Sequence, residues 1–314
     1  MVPAGRGQNL ANYNQIPHYK VIYDLNYGSV PPLPFFFKLN RDIMNFNSSV
    51  SLLPYNEGLN LPQSIKLERM AVETLSSIEI SKLEIMMTAG ERIQDCYRVL
   101  RKSSANVVGE VIKGPGEFFE WDHYPKGDVY DNETHAQYYY HAHPSETRID
   151  KLGAEHGHFH TFVRPLGMPK GIKPVGLADY KKPKVKNDDI CHLIGISMDR
   201  HGLPVRLFTV NRWVTGETWY KADDVMKILD KFEIDLAYPS WPVNIWIGAL
   251  LRLFRPQIDR LIEDRDLAIA GHEGAHPGTN AYEDRALEVT SFVAINVEKQ
   301  INLVRKELGR RKNG

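Results

Sequence analysis

The sequence predicts an α+β protein: a central, mostly antiparallel β-sheet, barrel-like if it closes, flanked by helices at its N- and C-terminal ends. Three observations predict it. Strand-like runs cluster in the middle of the chain, between residues 107 and 211. Helical periodicity frames them on both sides, from Ser64 to Leu100 and from Lys221 onward. Gly/Pro/Asp turn signals punctuate the strand region.

Residues 1–62 stand apart, being rich in Asn, Pro and aromatics (Tyr19, Tyr23, Tyr27, Phe35, Phe36, Phe37) and poor in charge. A disordered tail is normally charged and poor in aromatics. This segment therefore reads as an extended arm that buries its rings, either on its own domain or on a protein partner or second copy. Residues 63–314 read as a single α+β domain.

In the first helical stretch Ser81 and Glu84 have capping-box spacing. Leu83, Met86, Met87, Ile93, Tyr97 and Leu100 then share a face, with the methionines as core filler rather than a soft-metal site. Residues 107–120 look like a strand pair or one broken strand, punctuated by Gly114-Pro115-Gly116. A polar loop, EWDHYPKGDVYDNET, follows. Two strands are expected at 136–143 (AQYYYHAH) and 155–163 (EHGHFHTFV), then a long Pro/Gly/Lys-rich loop at 165–189. Cys191–Met198 and Pro204–Asn211 form a hairpin about Asp199-Arg200-His201-Gly202. Beyond it come a short amphipathic helix (221–232), a longer one from Val243 to Ala270 interrupted at Pro256, and a C-terminal helix from Ala281 to Arg310.

Composition limits the function. The 39 basic and 39 acidic residues balance, which gives no electrostatic case for nucleic acid or membrane surfaces. The longest apolar stretch, Pro242–Phe254, is too short to span a bilayer and contains Arg252. Two cysteines, Cys96 and Cys191, cannot build a disulfide scaffold or a thiolate zinc module, and the N-terminus lacks a signal-like apolar run. The expectation is a cytoplasmic protein with reduced thiols.

The chemistry is carried by histidine. Seven of the twelve histidines fall between His123 and His160. His141 and His143 are two apart, as are His156, His158 and His160, so each strand presents a row of imidazoles to one side. An antiparallel return places His143 opposite His156, His141 opposite His158 and Tyr139 opposite His160. Packed imidazoles repel when protonated and lose hydration when buried neutral; one bound cation resolves both problems. His141, His143, His156 and His158 are the expected ligands, then His160, with His123 as an outer ligand. Glu146 and Glu155 are candidate acid/base groups. Imidazole and carboxylate donors without thiolate suit one divalent transition metal, Zn or Fe foremost, then Mn, Cu or Ni.

His272-Glu273-Gly274-Ala275-His276 matches the H-E-x-x-H pattern of zinc proteases, with Glu283 or Glu288 available as a third ligand. Gly271, Gly274 and the following Pro277-Gly278 weaken the helix that this chemistry needs, so a turn between helices is the expectation.

The segments EFFEWDHYPKGDVYD, AQYYYHAHP, EHGHFHTFVRP, VRLFTVNRWVTGETWY and HPG…YEDRALEV resemble an uncharacterised bacterial family of unknown function, over residues 107–308. The resemblance marks 276–289 as one unit and adds Asn211, Arg212, Trp213 and Glu217 as site candidates. Arg212 is the candidate for binding substrate charge. The HxH run followed by Glu146 is also loosely similar to the first metal motif of cupins, although the spacing to the Glu differs. The expected function is a metal-dependent enzyme, of non-haem iron oxygenase or hydrolase type, acting on a small polar substrate. The other expectation is a metal-bearing accessory subunit docked through residues 1–62.

Overall fold

The computed structural model describes residues 75–114, 117–143, 155–178, 180–181 and 183–312. The predicted arm (1–62), Glu146 and the linker 144–154 lie outside the described residues.

Six strands form one antiparallel sheet in sequential order: β1 (Tyr124–Tyr130), β2 (Ala136–His141), β3 (Gly157–Val163), β4 (Cys191–Met198), β5 (Pro204–Val210) and β6 (Val289–Ala294). Helices α1 (Ile80–Lys102) and α2 (Val107–Ile112) precede it. Between β5 and β6 the chain passes through α3 (Arg212–Thr215), α4 (Ala222–Leu229), α5 (Trp241–Leu253) and α6 (Arg255–Ala275), and α7 (Val297–Lys312) closes the domain. The sheet is open, with β1 and β6 at its edges, rather than a closed barrel.

The two faces of the sheet differ. Tyr138, Tyr140 and Phe159 project toward the helices, where Tyr138 Oη donates to Asn244 Oδ1 at 2.6 Å. Trp246 of α5 lies between layers, its ring 6.1 Å from Phe159 and 6.4 Å from Tyr97 of α1. Burial of Leu83, Met86, Ile93 and Leu100 confirms the predicted face of α1, and Met86 is core. The opposite face of the sheet carries Tyr139, His141, His158 and His160.

Several elements differ from the sequence reading. Residues 107–112 are helical, not a strand: Asn106 caps the turn by accepting from Gly109 N at 2.8 Å, and Val107, Val108 and Val111 are buried at helical spacing. The N-cap of α1 is Glu79 without a side-chain cap, so Ser81 makes no capping box; Glu84 instead pairs with Lys312. The supposed loop YPKGDVY is the edge strand β1. It tolerates Pro125 because an edge leaves one side of the ladder unpaired, and its pairing slips between Tyr124 and Val129. The long C-terminal helix begins only at Val297: VTSFVA, read there as helix, is the sixth strand. The break near Pro256 is real, falling at Phe254 between α5 and α6.

Gly195 is required by packing. It faces Phe208 across β4 and β5, and a Cβ there would lie 2.3 Å from Phe208 Cζ. Phe208 thus lies across the sheet face beside the imidazoles. Gly195→Val is expected to cost about 1–3 kcal/mol through overpacking. Urea denaturation should show the double variant G195V/F208A to be less destabilised than the sum of its two parts.

Candidate metal centre

Two of the three predicted pairs form. His141 pairs with His158, and Tyr139 with His160, across β2 and β3. The result is a cluster of His141, His158 and His160 whose ligand atoms lie within 4.8 Å of one another. Among the described residues it is the one group of three or more His, Cys, Asp or Glu close enough to share an ion.

Two of the three imidazoles are held from behind. His158 Nδ1 contacts Glu155 Oε1 at 2.7 Å, and His160 Nδ1 contacts His192 Nε2 at 2.9 Å. A carboxylate can only accept, so His158 donates from Nδ1, and in the neutral ring that leaves the lone pair on Nε2. If His160 likewise donates to His192, its Nε2 is also left as a donor atom for a metal. His141 Nε2 and His158 Nε2 are 2.7 Å apart, close enough that one proton or one cation must lie between them. Around a metal with bonds of about 2.1 Å, ligand nitrogens sit about 3.0–3.4 Å apart, so these two rings would separate by only a few tenths of an ångström. The donor set fits.

Electrostatics favours neutral rings. Burial pushes His141 and His160 well below the ordinary imidazole range, and neighbouring histidines push them further: His158, His143 and His123 around His141; His158, His192, His141 and His143 around His160. Burial, then Arg265 and His158, lower His192 to about 3. Burial by itself would raise Glu155, but His158, with smaller contributions from Ser197 and Arg206, brings it down to about 2. His141, His160 and His192 are therefore held as neutral rings, and His158 sits between them and the Glu155 carboxylate.

The other predicted residues fall elsewhere. His143 borders the cluster, its ring 4.8 Å from His141 and 5.1 Å from His158, stacked on Trp121 at 4.2 Å. His123 lies flat on Tyr139 at 3.6 Å, with Nδ1 3.0 Å from Asp128 Oδ1, in an outer layer. His156 is not brought into the cluster. It lies in the bend before β3, with Nδ1 2.7 Å from Tyr140 Oη and its ring against Phe118. Next to it Gly157 admits no Cβ, which would meet His141 O and Tyr140 Oη at 2.5 Å. The chain bends at His156, and the row loses there the alternation that sequence spacing assumed.

Arg212 pairs with Glu283, and Asn211 is fully buried, donating from Nδ2 to Ala281 O and Leu287 O. Trp213 Nε1 also donates to Leu287 O at 2.9 Å. These residues clasp the 281–287 segment to the end of β5. Glu217, also buried, accepts from His192 N at 2.9 Å and is pushed up to about 7 by burial. The His272/His276 motif belongs to the same clasp: α6 continues to Ala275 despite its glycines, and His272 Nε2 contacts Asp284 Oδ2 at 2.8 Å. Glu288 has its carboxyl raised by burial.

Sequence reasoning missed His192. A register shift at Thr161/Phe162 sets Phe162 opposite His192 and turns that imidazole toward His160. Only its isolation as a polar residue in an otherwise apolar strand could have flagged it.

With the geometry in place, comparison with known proteins gives the family. The description "Domain of unknown function (DUF6969)" matches residues 87–295, and the chain belongs to that family. The match runs from within α1 through β6 and includes every residue of the cluster. No curated protein and no solved structure matches the chain. No helix among the described residues is long and apolar enough to cross a membrane.

The buried neutral rings give a pH dependence. Below about pH 6.5 the unfolded chain protonates these histidines and the folded chain resists doing so, so stability falls as pH falls. Glu155, at about 2, stays ionised in the fold from pH 7 to 5, and its unfolded counterpart titrates mostly below that range. In chelator, the urea midpoint is expected to fall between pH 7 and 5, with a shallower fall in His160→Asn or His192→Asn.

Proposed function

We propose that this chain is a metal-dependent enzyme holding one divalent transition metal through His141, His158 and His160, and acting on a small molecule. The observation that carries the reading is the engagement of two ring nitrogens from behind, Glu155 on His158 and His192 on His160. Metal-binding histidines are characteristically oriented in this way by carboxylate or other acceptors. A purely structural histidine ladder needs no such convergence of backed rings in a buried centre.

Zn or Fe fits the imidazole set first, with Mn, Cu or Ni as the other N/O-compatible ions. When bound, such an ion supplies Lewis acidity or an activated water, and three protein ligands leave room for a further one. The chain's own residues position and shield. Glu155 acts as a positioning residue: its ionised state excludes the role of general acid, and one oxygen is engaged by His158. Phe208 screens the rings of His158 and His160 at 5.2 and 5.8 Å. Arg212, engaged with Glu283, fits the clasp better than substrate binding.

Elemental analysis of untagged protein reconstituted with Zn or Fe is expected to give one equivalent of metal. It should be lost in H141A/H158A and in H160A but retained in H156A. Glu155→Gln should weaken binding about 10–100-fold without unfolding the chain. Reconstituted protein without stoichiometric metal, or with metal that survives H160A, would refute the assignment.

A further inference from the structure

Phe208 of β5 screens His158 and His160, and both of those rings are buried, whereas His141 on β2 is half-buried. Beside His141, Trp121 stacks on His143 and His123 stacks on Tyr139. The His123 ring also meets the His141 ring edge-on, 5.7 Å between centroids. Trp121 is 50% exposed, and the His123 side chain 44%. The cluster is therefore approached from solvent along His141, with His123 at the edge of that approach.

A chain of donors and acceptors fixes the polarity of His123. Arg164 can only donate, and its Nε does so to Gln137 Oε1 at 2.8 Å. The amide is thereby oriented, and Gln137 Nε2 donates to Asp128 Oδ2 at 2.7 Å. The other carboxylate oxygen, Asp128 Oδ1, lies 3.0 Å from His123 Nδ1, so that nitrogen carries the proton. In the neutral ring Nε2 is then a hydrogen-bond acceptor, and no described residue hydrogen-bonds to it. The slip in β1 delivers Asp128 to this place: it and Gly127 both take left-handed backbone conformations, φ 61° and 87°.

We propose that the molecule bound at the metal is a hydroxyl compound, its oxygen taken by the metal and its O–H donated to His123 Nε2. The proposal rests on the metal reading above and names the substrate class for that site. The competing role is structural, with the Asp128–His123 pair only pinning β1 across Tyr139. The two roles differ in what they discriminate. A site built around a hydrogen bond to a hydroxyl rejects an analogue that lacks it, because the acceptor is left unpaired. A pinning pair is indifferent to that change.

Glycolate and methoxyacetate offer the same carboxylate and neighbouring oxygen and differ in the O–H. Each is titrated into the Co(II)-loaded full-length protein and followed by visible absorption. Glycolate is expected to bind at least tenfold more tightly than methoxyacetate, beyond their ratio for free Co(II). His123→Phe, which keeps a ring on Tyr139, should abolish that preference with Co(II) stoichiometry and affinity unchanged. Asp128→Asn keeps its oxygen on Gln137 and presents an N–H to His123 Nδ1, which moves the ring proton to Nε2. It should abolish the preference too, and nitrogen NMR of the metal-free protein should report the changed tautomer. Equal binding of the two acids, binding of neither, or a preference that survives His123→Phe would overturn the proposal and leave the metal reading standing. Loss of Co(II) in His123→Phe would also overturn it, by making His123 a ligand. A wild-type chain that takes up no Co(II) would overturn the metal reading and, with it, this one.

Discussion

The antiparallel pairing of His141 with His158 is the constraint on which the centre depends. It sets two ring nitrogens at hydrogen-bond distance in a place where water cannot separate them. A one-residue slip of β2 against β3 would send His141 to the helix side and Tyr138 and Tyr140 to the other, away from His158 and His160. The helix layer prevents that slip, because Tyr138 is hydrogen-bonded to Asn244 and Phe159 packs on Trp246. Apolar packing on one face of the sheet thus fixes the chemistry on the other.

A second level of organisation lies behind the imidazoles. His192 meets His160 through its ring and Glu217 through its backbone N–H, so the deepest metal-ligand candidate leans on a buried carboxyl through two steps. Glu217 in turn follows α3, whose Arg212 and Trp213, together with its cap Asn211, clasp residues 281–287. That clasp delivers the chain to β6. The two motif blocks around residues 211–220 and 276–289, distant in sequence, therefore form one structural unit. Their hydrogen bonds account for them without a second metal site.

Much of this was legible in the sequence, for an identifiable reason. A strand's side-chain period of two is local, so His141, His158, His160 and Tyr139 could be placed on one face, and in the correct register, from spacing alone. The hairpin of β4 and β5 and the core face of α1 were readable on the same principle. What failed was non-local. VVGEVI is a short β-branched run that either helix or strand can bury, and the Asn106 cap decided it. VTSFVA became a strand because β5 offered a free edge, and His192 entered through a register shift that spacing cannot reveal. His156 left the row because the backbone bends before Gly157.

The unequal backing of the imidazoles has an electronic consequence. His158 donates toward an ionised carboxylate and so gains imidazolate character, whereas His160 rests on another neutral ring and gains much less. A bound ion would consequently meet a strong σ-donor at His158 and a weaker one at His160. Its ligand field would be lopsided, with the orientation of that asymmetry governed chiefly by the ionised carboxylate of Glu155.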